Sequence, residues 1–141
     1  MRNPNEVGIF VYRGDRFLIL RRVHEPKVWH IVAGVVEPGE SFPDAAAREL
    51  REETGLGRPV TDLGIPQRYL LDDDYRPMYE RGTTHVLIHS FAVEAPMGWE
   101  PVLNEEHDTY RWRTLDEAIA LLHWPEARDA LRALAARLAT S

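Results

Sequence analysis

Between Gly34 and Leu56 the chain reads Gly-Val-Val-Glu-Pro-Gly-Glu-Ser-Phe-Pro-Asp-Ala-Ala-Ala-Arg-Glu-Leu-Arg-Glu-Glu-Thr-Gly-Leu, a run that reads as a turn feeding a helix. Ser41 is placed to cap that helix, with Pro43 in its first turn and Asp44 beside its positive end. Ala45 to Glu53 are good helix formers, and Gly55 is a natural stop. On the helix, Glu49, Glu52 and Glu53 fall at i, i+3 and i+4, so the three carboxylates share one face. Ala46, Ala47, Leu50 and Thr54 form a neighbouring face that can pack inward. Like charges at this spacing cost a helix roughly 0.2–0.5 kcal/mol per pair, a penalty that a bound cation would relieve. Oxygen donors in a chain without cysteine point to Mg²⁺ or Mn²⁺ rather than zinc. A run of acidic residues on a helix is ordinarily a solvated face. Here the turn with Glu40 ahead of the helix argues for a cation instead.

The full pattern is Gly, five residues, Glu, seven residues, then Arg-Glu-Leu-x-Glu-Glu-x-Gly-Leu. It resembles the signature of the Nudix hydrolases, and the resemblance is complete over the whole stretch. The family cleaves a nucleoside diphosphate linked to another group, using a divalent metal and an attacking water. The resemblance implies that Glu52 and Glu53 are metal ligands and that Glu49 is a ligand or the group that deprotonates the water. It implies that Arg48 orients the glutamates, that Glu40 supports the loop, and that the backbone carbonyl of Ala33 is a further ligand. It also implies the family fold, an α/β/α sandwich with a mixed β-sheet between the motif helix and the C-terminal helices.

The rest of the sequence sets limits. At 141 residues the chain is long enough for one domain with a proper core. Its net charge of −6 argues against a general nucleic-acid surface, so an anionic substrate must be drawn by a local metal and a few arginines. No apolar run approaches membrane-spanning length and no signal-peptide core opens the chain, which predicts a cytoplasmic protein. Zero cysteines exclude disulfides and thiolate chemistry. Oligomeric state is not legible.

Taken in order, Val7–Tyr12 and Arg16–Val23 predict two strands joined at Arg13-Gly14-Asp15. Alternation sends Arg21 and Arg22 to opposite faces, so only one can point at a site. The family resemblance favours a phosphate contact from one of them, against a solvated edge arginine. Trp29 to Ala33 enters another strand, with Trp29 either core or a lip for a base. Many relatives carry Pro-Gly-Gly near here; this chain has Ala33-Gly34-Val35. Val60–Arg68 predicts a strand, and Gln67–Arg81 an irregular polar segment in which Asp72-Asp73-Asp74 reads as a solvated loop in preference to a second metal site. Thr83–Val93 is a clear strand, and its His85 and His89 are packed or solvated rather than ligands. Tyr110–Arg113 predicts a strand, Thr114-x-x-Glu117 caps a helix to about Leu122, and a last helix follows Trp124-Pro125 with Leu131, Leu134 and Leu138 as its core stripe.

The late Glu106-His107-x-x-Tyr110-x-Trp112 segment also resembles family members in which a loop glutamate reaches the metal, a role carried here to Glu106 with Glu105 as substitute. Together with Val32–Glu37 and the tryptophan before Pro125 it is loosely similar to dihydroneopterin triphosphate pyrophosphatases, and almost as similar to nucleoside triphosphate pyrophosphohydrolases. The resemblance therefore implies a triphosphate substrate, nucleoside or pterin, cut to a monophosphate and pyrophosphate. The ring would lie against Trp29 or one of Tyr69, Tyr75 and Tyr79. Two other readings stay open. One is a hydrolase of dinucleoside polyphosphates, nucleotide sugars or ADP-ribose. The other is a binding module without catalysis, against which the intact glutamates speak.

Overall fold

The computed structural model describes residues 1–140, built around strand β1, Asn5–Arg13. Val7–Val11 is an unbroken buried run, as expected of a central strand covered on both faces. Gly14, at φ 59°, turns the chain into β2, Arg16–Arg22. The two strands pair only beside the turn, at Tyr12↔Phe17 and Arg13↔Arg16, and then diverge. The vacated edge of β1 is taken by β4, Val32–Val35, running antiparallel from Glu6↔Val35 to Ile9↔Val32. Meanwhile β2 pairs with the two-residue β3, Trp29–His30, and with β8, His107–Arg113.

On the other edge of β1, strand β7, His85–Glu94, runs parallel. β7 in turn carries β5, Thr61–Asp62, and β6, Gln67–Leu70, both antiparallel. The predicted single strand over Val60–Arg68 is therefore two short ones, and β6 occupies residues expected to be irregular. The break has a local cause: Gly64 sits at φ 67°, Asp62 caps its N–H at 2.8 Å, and Pro66 has no N–H to give. The remainder, from Leu71, is a loop with a 3-10 turn at Arg76–Met78, and Asp72, Asp73 and Asp74 are exposed on it.

Alternation along β1 divides the core. Val7, Ile9 and Val11 face α1, Phe42–Thr54, whose Ala45, Ala46 and Leu50 are buried against them. Phe10 faces the other way, with Phe17 and Ile19, under α2, Leu115–Leu121, and α3, Pro125–Thr140. The result is the expected α/β/α sandwich. Both helix caps read from the sequence are present: Ser41 accepts from the Asp44 N–H, and Thr114 and Glu117 form a reciprocal capping box. Ala45 rather than Ala47 completes the buried stripe of α1. His89 stacks on Phe42 at 3.8 Å, a packing role. No described helix is long and apolar enough to cross a membrane.

Candidate active site

The turn and helix around the glutamates are held by one arginine. Arg48 reaches from α1 to Glu40 with Nε at 2.8 Å and Nη2 at 3.0 Å, and to the Val35 carbonyl at 3.0 Å. Its Nη1 holds Glu49 at 2.7 Å and Glu52 at 3.3 Å. Glu40 also accepts the Glu37 N–H, so the loop is tied at both ends. The Arg48 guanidinium holds the Glu40 carboxyl below the usual carboxylate range.

Glu49 and Glu53, one turn apart, are 8 % and 1 % exposed. Glu49 lies directly over Gly34, where a Cβ would come within 2.2 Å of its carboxyl carbon. That close approach explains why the strand carries glycine at this point. Glu53 accepts the Ala33 backbone N–H, and burial, then Glu49 and Glu106, push its carboxyl far above the ordinary range. Glu52, with a side chain 55 % exposed, sits at the outer edge and does not line the cavity.

That cavity, of about 690 Å³, opens along the sheet face that carries Phe10. Ala33, Glu49, Glu53 and Glu106 line one end of it. Glu106 arrives on the loop before β8, its N–H capped by Asn104 at 3.0 Å and its carbonyl accepting from Val23. Burial and Glu49 raise its carboxyl. Glu105 is exposed and does not line the cavity.

Beside Glu106 stands His107, to which the sequence reading assigns no role. Ligand atoms of Glu53, Glu106 and His107 lie within 4.8 Å of one another. His107 Nδ1 is 3.8 Å from Glu53, and burial, then Arg22, hold its imidazole down to about 4. Its buried place, directly after an exposed glutamate, depends on the pairing of β8 with β2 at Arg22↔His107. The residues fit a divalent cation on their own chemistry. Glu53 Oε2 and His107 Nδ1 are buried with no hydrogen-bond partner, amid carboxylates that repel one another.

Of the two arginines closing β2, Arg22 lines the cavity, stacked 4.7 Å over Trp124 and paired with Glu25. Arg21 is turned away and bound to Asp108 at 3.0 and 3.2 Å. Trp29 also fails to reach the cavity. It packs into the core under α2 and α3, beneath Arg111. Trp124, at the start of α3, supplies the aromatic wall instead, with Tyr69, Tyr75 and Tyr79.

His30 lies between the two ends, edge-on to Trp124 at 4.8 Å, with its Nδ1 buried and unpartnered. Unfolded, an imidazole binds its proton near 6.5; burial, then Arg22, His107 and His123, hold His30 down to about 3. Below pH 6.5 the unfolded chain therefore binds the extra proton, and this contribution to stability is lost as pH falls. At pH 5 the loss is about 2 kcal/mol. His30→Gln should accordingly flatten the fall in melting temperature between pH 7 and pH 5. Parallel wild-type and variant profiles would remove His30 as the cause.

Comparison with known proteins agrees with this geometry. The model of the NUDIX domain matches residues 2–134. The dihydroneopterin triphosphate diphosphatase of Escherichia coli K12 is 30% identical over 132 residues, covering 85% of this chain and 84% of that protein. The solved structure of the E. coli dihydroneopterin triphosphate pyrophosphohydrolase superposes with a TM-score of 0.85 at 28% identity, over 92% of this chain and 93% of that one. The asymmetrical bis(5'-nucleosyl)-tetraphosphatase of Mus musculus is 31% identical over 82% of this chain and 76% of its own. An octanoyltransferase of Myxococcus xanthus is 33% identical over 115 residues, but the match spans only 30% of that protein. Nudix hydrolases generally use divalent metals, in keeping with the acidic cluster at Glu53 and Glu106. With the glutamate helix, the sandwich and the family match in agreement, the chain belongs to the Nudix family, as one of its pyrophosphohydrolases.

Proposed function

We propose that this protein hydrolyses a nucleoside or pterin triphosphate to a monophosphate and pyrophosphate, acting as a single catalytic domain. The observation that carries the reading is one cavity with two unlike ends, acidic at Glu49, Glu53 and Glu106 and aromatic at Trp124 and Tyr69. One end suits metal-bound phosphates and the other a single ring. The similarity to a dihydroneopterin triphosphate diphosphatase supports the same choice. The similarity to a dinucleoside tetraphosphatase favours the second reading, in which the same chemistry cuts a longer polyphosphate.

Glu49, Glu53, Glu106 and the Ala33 carbonyl would hold Mg²⁺ or Mn²⁺ from the cavity, with Glu52 adding its carboxylate from the outer edge of the helix. Such an ion supplies charge neutralisation at the phosphates and a more acidic water. Arg48 fixes the Glu49 carboxylate through Nη1. Glu49 or Glu106 takes the proton as the water oxygen adds to phosphorus, and the bridging P–O bond breaks as the product phosphate leaves. Arg22 neutralises charge on the departing group from the cavity wall. Arg21, bound to Asp108, takes no part in this scheme.

The test is incubation with Mg²⁺ and a panel of triphosphates, ADP-ribose, a nucleotide sugar and a dinucleoside tetraphosphate, with both products identified by mass. A triphosphate should lead. A ten-fold preference in kcat/KM for any of the last three, about 1.4 kcal/mol, overturns the substrate reading. Glu106→Gln should lower the metal-dependent rate by at least ~10-fold with little change in melting temperature. A lower melting temperature with unchanged rate per folded molecule would make Glu106 structural.

A further inference from the structure

The ring end of the cavity has its own chemistry. On its floor β1, β7 and β6 lie side by side, with Glu6 opposite Ile88 and Ile88 opposite Gln67. All three residues line the cavity, so Ile88 forms an apolar platform with a polar residue on each flank. Two strand spacings put the backbones of Glu6 and Gln67 about 9.6 Å apart, enough for a flat bicyclic ring between their side chains.

Both flanking groups are held in place by neighbours. Tyr69 donates to Glu6 Oε1 at 3.2 Å, while Tyr79 and Arg2 donate to Oε2. A carboxylate offers about four lone-pair sites, so Oε1 keeps one to accept from a ligand. Arg2 also balances the charge of Glu6, which leaves this end suited to an uncharged ring rather than a phosphate. Gln67 donates its amide to the Glu126 carbonyl at 3.0 Å. Since a carbonyl can only accept, that contact fixes which amide atom is nitrogen and leaves the Gln67 oxygen turned elsewhere.

We propose that Glu6, with Gln67 across Ile88, determines specificity for a fused ring bearing a 2-amino-4-oxo pyrimidine edge, as in guanine or a pterin. The 2-amino group of that edge donates to the remaining lone pair of Glu6 Oε1, and a ring lacking it forfeits a charge-assisted hydrogen bond. The ring over β7 stands two strands from Ala33 on β4, which leaves room for a sugar or short polyol before the phosphates. The assignment rests on the triphosphatase reading for where the phosphates go, but the ring subsite can be probed without hydrolysis.

The probe is equilibrium binding by calorimetry with two matched pairs, GMP against IMP and neopterin against the corresponding lumazine. Each pair differs at the 2-amino position. In the wild type the amino member of at least one pair should bind at least ~10-fold tighter, and the pair that discriminates tells guanine from pterin. In Glu6→Gln that ratio should fall below ~3-fold with the affinity of the deaminated partner unchanged. Because Glu6 anchors two tyrosines, Glu6→Asp, which keeps the charge but withdraws the carboxylate, serves if the first variant does not fold. Equal affinities within both pairs in the wild type overturn the proposal. So does discrimination that persists in a folded variant. A protein that discriminates in binding yet hydrolyses no triphosphate keeps this subsite and loses the triphosphatase reading.

Discussion

Gly34→Ala should lower turnover by at least ~100-fold while leaving the protein folded, because one methyl group displaces a carboxylate that the chemistry needs. The added Cβ would stand 2.2 Å from Cδ and Oε1 of Glu49 and 2.7 Å from Cγ. Those atoms are the far end of a side chain, so the helix need not move. Glu49 must swing away, and it then loses the Arg48 contact at 2.7 Å and its place over the strand. The backbone at Gly34 does not lie in the left-handed region, so alanine meets no torsional strain there. The melting temperature should therefore fall by only a few degrees, corresponding to about 1 kcal/mol. Turnover at saturating metal, set beside the melting curve, separates the two effects. An unchanged rate would mean that Glu49 is not needed where it stands.

Glu53→Gln should lose activity to the same degree without the loss of stability. The glutamine keeps an oxygen for the Ala33 N–H, and being neutral it avoids the cost of either burying a charge or taking up a proton beside Glu49 and Glu106. Without metal the variant should be at least as stable as the wild type, since an uncompensated buried carboxylate is costly. Addition of Mg²⁺ should raise the wild-type melting temperature through linkage and leave the variant nearly unmoved. The metal-dependent rate should drop at least ~100-fold. Two results would count against the assignment: an equal Mg²⁺-induced shift in both proteins, or full turnover by the wild type in EDTA-treated buffer.

The helix at the heart of both expectations is legible in the sequence, because everything that makes it is local. Ser41, Pro43 and Gly55 mark its ends, and its 3.6-residue period decides which glutamates share a face. The period alone does not separate the three. Glu49 and Glu53 are buried while Glu52 is half out in solvent, since the sheet covers one flank of the helix and not the other. The strand break at Gly64 and Pro66 escapes a sequence reading for the opposite reason: its signal is local, but the apolar residues around it outweigh it.

The other members of the site are long-range and follow different rules. Arg22 reaches the cavity and Arg21 does not, and β2 has a register shift between these two residues, so counting alternate positions along the strand cannot choose between them. His107 joins Glu53 because β8 pairs with β2 at Arg22, a register that no residue near His107 announces. Trp124 displaces Trp29 as the aromatic wall because α3 begins over the cavity while β3 tucks its tryptophan under the helices. The sequence by itself determined the acidic helix and its caps, set by neighbours within a few turns of chain, whereas Gly34 came to lie beneath Glu49 only through the docking of the helix on β4. Only the tertiary structure decided which distant carboxylate, imidazole, arginine and aromatic ring meet them, because that depends on strand register and on which face each strand turns inward.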